Sequence, residues 1–219
     1  MVTPSDIVAA IYHPKVTRAS APDIASRVLV FGEVMIVTET ALAGVLIVEP
    51  ARHGDDRGFF SESWNKQRME DAGLSFDFVQ DNHSLSAQPG TLRGLHYQSP
   101  PHAQAKLVRC GRGRLFDVAV DVRKGSPTYG NWIGVELTFE NGKQLLVPTG
   151  FLHGFITLEP DTEVIYKVTD FYAPECDGAV RWDSCGIDWG FDGTPVLSDK
   201  DADAIALADF DSPFDWSAS

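Results

Sequence analysis

Between Val45 and Thr169 the chain is a succession of short apolar runs broken by glycine, proline and asparagine, with no long stretch of helical period. The clearest run is Arg114 to Arg123. Phe116, Val118, Val120 and Val122 fall on one side, and Asp117, Asp121 and Arg123 on the other. That is the period of a pleated strand. Val45–Val48, Gly58–Ser63, Lys106–Cys110, Trp132–Phe139, Lys143–Val147, Phe151–Leu158 and Glu163–Thr169 continue the series. Lys106–Cys110 and Arg114–Arg123 read as a hairpin about Gly111-Arg112-Gly113, and Asn141-Gly142 centres a second turn. Many short strands without intervening long helices imply an all-β sandwich or barrel. Two helical stretches are expected: Trp64–Ala72, stopped by Gly73, and Ser198–Ala208, opened by Ser198.

Residues 1–34 differ. Their apolar residues keep no period and prolines interrupt them, so they read as a loosely attached extension ahead of a single domain over 35–219. The chain of 219 residues is long enough to bury a sizeable core. A formal net charge of −13 repels a phosphate backbone, which argues against nucleic acid as a general partner. A small anionic ligand remains compatible, because a few cations in one cleft suffice to hold a phosphate. No apolar run reaches the roughly 20 residues that span a bilayer. The best candidate, Val28–Val37, is interrupted by Gly32 and Glu33. Three widely spaced cysteines, Cys110, Cys176 and Cys185, suit neither a disulfide framework nor a zinc site, and point to a reducing cytoplasm.

Some polar residues sit where an ordinary core would not place them. On a strand through Thr91–Gln98, Gly94, His96 and Gln98 share a face, which suits a wet cavity. Lys106 shares its face with Val108 and Cys110, and a buried ammonium needs a counter-charge or a bound anion. Tyr166 shares its face with Val164 and Val168 and therefore points inward. Ser198-Asp199-Lys200-Asp201 is close to a capping box, so Asp201 serves either as a helix-start carboxylate or as the partner that orients a histidine. Taken singly, each residue has an ordinary structural explanation. Pro148–Phe155, with His153 after a proline and a glycine, resembles the second half of the cupin signature. The first half lacks its paired histidines and carboxylate, and two histidines with a lysine make a poor ligand set. No metal or other cofactor is expected.

Together these segments resemble the dTDP-4-dehydrorhamnose 3,5-epimerase family from about Met35 to Asp201. The resemblance rests on Arg57–Phe60, Phe78–Ser84, Leu92–His96, Lys106–Arg109, Asp117–Asp121, Ser126-Pro127-Thr128, Pro148–Phe155 and Tyr166-Lys167. It implies a cupin-type jelly roll with a few short helices, usually a homodimer, acting without a metal on a nucleotide sugar. His96 matches the family's base, Asp201 the carboxylate that pairs with it, Tyr166 the acid on the opposite sugar face, and Lys106 the residue near the C4 oxygen. Arg57, Phe60, Glu62, Gln80, Asn82, Arg93, His153 and Lys200 match substrate contacts. Tyr172 matches the aromatic stacked on thymine. A nucleotide-contacting glutamate of the family aligns with Asp177, which is one methylene shorter.

The implied chemistry is inversion of carbons flanking a ketone. The C4 ketone makes the C3 and C5 hydrogens acidic, a neutral imidazole removes one, Lys106 offsets charge on O4, and Tyr166 returns a proton from the other face. The alternatives are a single-carbon epimerase of a related 4-keto nucleotide sugar, a cupin that binds such a sugar without turnover, and a metal-dependent cupin.

Overall fold

In a computed structural model, residues 28–31 and 35–217 are described. Among the described residues, twelve strands form two antiparallel sheets that face one another, and two more form a small hairpin. The strands are β1 (Val28–Phe31), β2 (Met35–Glu39), β3 (Leu46–Pro50), β4 (His53–Asp55), β5 (Gly58–Phe60), β6 (Gln80–Ser86) and β7 (Leu92–Gln98), followed by β8 (Lys106–Arg112), β9 (Arg114–Asp121), β10 (Trp132–Thr138), β11 (Gln144–Val147), β12 (Phe151–Thr157), β13 (Thr162–Val168) and β14 (Asp177–Ala179). The larger sheet runs β1-β2-β3-β11-β8-β13-β6 and the smaller β10-β9-β12-β7-β14, while β4 and β5 pair only with each other. This is the expected all-β, jelly-roll-like sandwich; among the described residues its α-helices are the two short ones α1 (Lys66–Asp71) and α2 (Asp199–Ala202).

Three apolar clusters hold the layers. Val108, Cys110, Leu145, Val147 and Val164 of the larger sheet meet Leu115, Ala119, Val135, Leu137, Phe151 and Phe155 of the smaller. The outer face of the smaller sheet is covered by the C-terminal segment, where Trp189, Phe210 and Phe214 pack on Val118, Val120 and Val122. The outer face of the larger sheet receives Met69 of α1 against Leu107 and Leu146. Burying both faces of β9 explains why Asp117 and Asp121, on the polar side of the alternation, are both fully buried. Asp121 accepts bonds from Arg123, Ser126 and Thr128, and Asp117 from His153.

Three expectations change. Lys106–Cys110 and Arg114–Arg123 do not form a hairpin. β8 pairs with β11 and β13, whereas β9 pairs with β10 and β12, so the chain changes sheets at the glycine corner. Gly113 makes that corner with φ 75°, and a Cβ there would come within 2.7 Å of the Thr162 hydroxyl. The C-terminal helix spans one turn rather than Ser198–Ala208. Past Ala202 the chain is drawn out to bridge Val180 through Ile205, and Arg181 N–H donates to the Ile205 carbonyl at 2.7 Å. Finally, β1 lies within the stretch expected to be an extension, yet it pairs with β2 from Val28↔Thr38 to Phe31↔Met35, so the sheet begins before Met35. Residues 1–27 and 32–34, the rest of that stretch, lie outside the described residues.

Candidate active site

A cavity of about 370 Å³ opens between the sheets, within the size range of small-molecule sites. His96 and Gln98 come from β7, Lys106 from β8, Tyr166 from β13, and Gln80 and Asn82 from β6. Tyr172, Asp177 and Lys200 line it from the C-terminal side. Register explains the convergence. Tyr166 sits opposite Asn82 on one side and Val108 on the other, so the inward faces of β6, β13 and β8 form one polar floor among valines. A second cavity, of about 220 Å³, lies on the outer face of the larger sheet beside Ser63, Arg109 and Lys167. It contains no histidine.

His96 is placed by a close approach of two backbones. Gly94, with φ 135°, leaves only 2.6 Å between its missing Cβ and Gly154 Cα, so any side chain there would force β7 and β12 apart. His96 then stands opposite His153, where the register shifts. Its Nε2 lies 2.5 Å from Asp201 Oδ1. Asp201 is 2% exposed, while Ser198, the N-cap of α2, donates its hydroxyl to Asp201 Oδ2 at 2.9 Å. The two readings of Asp201 are thus compatible, since the cap motif aims the carboxylate at the imidazole. Burial alone would raise the Asp201 carboxyl, but the bonds from His96, Ser198 and the Gly94 backbone outweigh it and hold it below its usual range. An anionic Asp201 accepting Nε2–H leaves the lone pair on the other ring nitrogen.

Lys106 and Tyr166 are tuned mainly by desolvation. Burial pushes the Lys106 ammonium down to about 8, partly offset by Asp117 and Asp177. Burial also raises the Tyr166 phenol; Arg93 pulls the other way and Asp177 adds to the rise. At neutral pH these two groups therefore present an ammonium and a protonated phenol to the cavity.

The remaining candidates divide. Lys200 ion-pairs with Asp177, and the Tyr172 hydroxyl donates to the same carboxylate at 3.2 Å. Gln80 accepts from Tyr172 N–H at 3.3 Å and donates to Asn82 at 2.9 Å. His153 is buried beneath the cavity, 2.8 Å from Asp117, and does not line it. Arg93 is exposed, 3.5 Å from the Leu85 carbonyl, near enough for its charge to act on Tyr166. Arg57 and Phe60 are exposed on the β4–β5 hairpin, Arg57 paired with Asp55, and Glu62 is bonded to Asn65 and Arg68. None of these three lines the cavity.

Three lining residues were not among the candidates: Tyr97, Gln98 and Gln104. Gln98 shares the inward face with His96 and brackets Tyr172, donating to the Phe171 carbonyl at 2.9 Å and accepting from Ala173 N–H at 3.0 Å. Its alternation with His96 was a visible signal. Gln104 lies in a loop, where no period reveals its direction. Among the described residues, no three His, Cys, Asp or Glu side chains converge to hold a metal ion, and no helix is long and apolar enough to cross a membrane.

Known proteins resemble this chain in sequence and fold. A family model described as dTDP-4-dehydrorhamnose 3,5-epimerase matches residues 39–209. The chain is 52% identical over 176 residues to the dTDP-4-dehydrorhamnose 3,5-epimerase of Salmonella typhimurium, covering 79% of this chain and 96% of that protein. It superposes with a TM-score of 0.80 and 43% identity on a dTDP-6-deoxy-D-glucose-3,5-epimerase from Legionella pneumophila in complex with dTDP-4-keto-L-rhamnose, covering 84% of this chain and all of that one (100%). A 3'-monoepimerase from Streptomyces bikiniensis, in complex with dTDP-quinovose, superposes with a TM-score of 0.73 and 36% identity over 77% of this chain and 86% of that one.

Proposed function

The chain belongs to the dTDP-4-dehydrorhamnose 3,5-epimerase family, and from that premise we propose that it inverts C3 and C5 of dTDP-4-dehydro-6-deoxyglucose to give dTDP-4-dehydrorhamnose. The observation that carries this reading is the His96–Asp201 pair opening into the same cavity as Lys106 and Tyr166. His96 removes the proton next to the ketone. The electron pair moves into an enolate whose charge on O4 is met by the Lys106 ammonium. Tyr166 then gives its phenolic proton to the opposite face of the carbon, which is what inversion requires. Each event leaves an imidazolium and a phenolate. These re-equilibrate with water, so a solvent hydrogen enters every inverted carbon. No metal takes part in this scheme.

The nucleotide part is assigned to Tyr172, as a stacking surface, and to Lys200, Arg93, Gln80 and Asn82 as polar contacts. His153 would support the sugar side of the cavity from below. Arg57, Phe60 and Glu62 lie off this cavity within the subunit, and we assign them to the site of a second copy in a homodimer. Three free cysteines favour a reducing cytoplasm. Residues 35–219 are the unit that carries the site, with β1 added to its sheet.

A second reading keeps the machinery and inverts one carbon only; the likeness to the Streptomyces bikiniensis 3'-monoepimerase supports it. Proton NMR in deuterated water, with dTDP-4-dehydro-6-deoxyglucose as substrate, separates the two. Deuterium at both C3 and C5 with the L-configured product is expected. Deuterium confined to C3 selects the single-carbon reading, and no exchange at either position removes both. In Tyr166→Phe, deuterium exchange should outrun formation of inverted product. Inversion at the parent rate would assign the acid to another group.

A further inference from the structure

Among the described residues, Asp177 is the single carboxylate lining the cavity. A carboxylate repels a nearby diphosphate, so what it bonds to in the pocket decides its effect on binding. Its two bonds are specific. It forms an ion pair with Lys200, and the same oxygen, Oδ2, accepts the Tyr172 hydroxyl at 3.2 Å. Asp177 thus engages at once a cation suited to the diphosphate and the ring suited to the base, while Gln80 and Asn82 satisfy each other on the facing wall. At this end of the cavity Lys200, Tyr172 and Asp177 are paired with one another. A diphosphate that takes Lys200 exchanges partners there, and such an exchange yields much less than the gross bond it forms. The ion pair is partly open to solvent, with side chains 46% and 21% exposed, so the barrier to exchange is modest.

We propose that Asp177 is the counter-ion an incoming diphosphate must displace from Lys200, and that this competition weakens nucleotide binding and favours product release. The inference rests on the nucleotide-sugar reading above. It differs from a direct contact between Asp177 and the nucleotide, because the two predict opposite signs when the charge is removed. Asp177→Asn keeps an oxygen that accepts the Tyr172 hydroxyl but deletes the charge facing Lys200.

Calorimetric titration with dTDP tests it. Asp177→Asn is expected to bind dTDP about fivefold more tightly than the parent at low ionic strength, as for a partly exposed ion pair released from competition. Added salt should narrow the gap. In a Lys200→Met background, Asp177→Asn should change affinity little, since the cation being contested is gone. A merely structural role for Asp177 moves the melting temperature but does not tighten binding. If the parent binds dTDP and a folded Asp177→Asn binds it equally or more weakly, the counter-ion assignment is overturned and the nucleotide-sugar reading stands. A parent protein that does not bind dTDP overturns that reading and this assignment with it.

Discussion

On β7, β8 and β13 the candidate residues are embedded in a subunit that already positions them: His96 is bonded to Asp201, Lys106 is tuned by burial, and Tyr166 packs against the cluster that contains Val108 and Val164. On β4 and β5 all residues of both strands are exposed. That hairpin is tied to the body through Arg52, whose guanidinium lies 4.2 Å from the Phe59 ring and donates to the Glu140 carbonyl at 3.0 Å. An isolated two-stranded hairpin is marginal by itself. The contrast separates groups that the subunit holds in a cavity from groups that it presents outward. Chemistry should depend steeply on the first set and binding mildly on the second.

The steepest effect belongs to His96. Replacing it by alanine should lower kcat by about 10²–10⁴-fold, the usual cost of losing a general base, while the melting temperature stays near that of the parent. Thermal denaturation beside single-turnover kinetics checks both. A folded variant with near-parent turnover would dissolve the distinction between the two regions.

Lys106 comes next, through pH. In the proposed scheme its ammonium is the active form, and burial lowers it to about 8, so it is charged at neutral pH and discharges as pH rises. The free-enzyme profile, kcat/KM, should fall about tenfold per pH unit above that value. The bound substrate carries negative charge and favours the ammonium, so the fall in kcat should begin at higher pH. An alkaline limb that survives unchanged in Lys106→Met would assign it to another group.

The hairpin should give the smallest change. Phe60→Ala or Arg57→Ala is expected to raise KM roughly fivefold, equivalent to about 1 kcal/mol of binding, with kcat nearly unaltered. If the hairpin serves a second copy, mixing inactive His96→Ala with Arg57→Ala subunits restores parent-like sites in the heterodimer, visible as activity above the mean of the two. A mixture that never exceeds that mean places the hairpin's role within its own subunit or removes it.

Period two was enough to locate β3 and β8 to β13 and to point Tyr166 inward, because alternation is imposed by the pleat itself, but it did not mark β1, β4, β6 or β14. The family motifs then supplied His96, Lys106 and Asp201 as a set. Local pattern could not tell a hairpin from a change of sheet at Gly113, since both need the same tight, glycine-led turn. Nor could it tell that both faces of β9 are covered, which turns Asp117 from a surface acid into a buried partner of His153. The short length of α2 was equally hidden, because the bridge from Ile205 to Val180 that ends it joins residues far apart in the chain.

By itself, then, the sequence determined an all-β domain and the residue types for proton transfer beside a ketone. Those depend on short-range alternation and on side-chain chemistry, which travel with the residues. Only the tertiary structure decided which of them share a cavity. Asp201 reaches His96 across the interval between β7 and α2, Asp177 meets Lys200, and Arg57 and Phe60 stay outside. These outcomes follow from strand register and the order of strands in two facing sheets, and both are set by contacts between distant segments that no local pattern encodes.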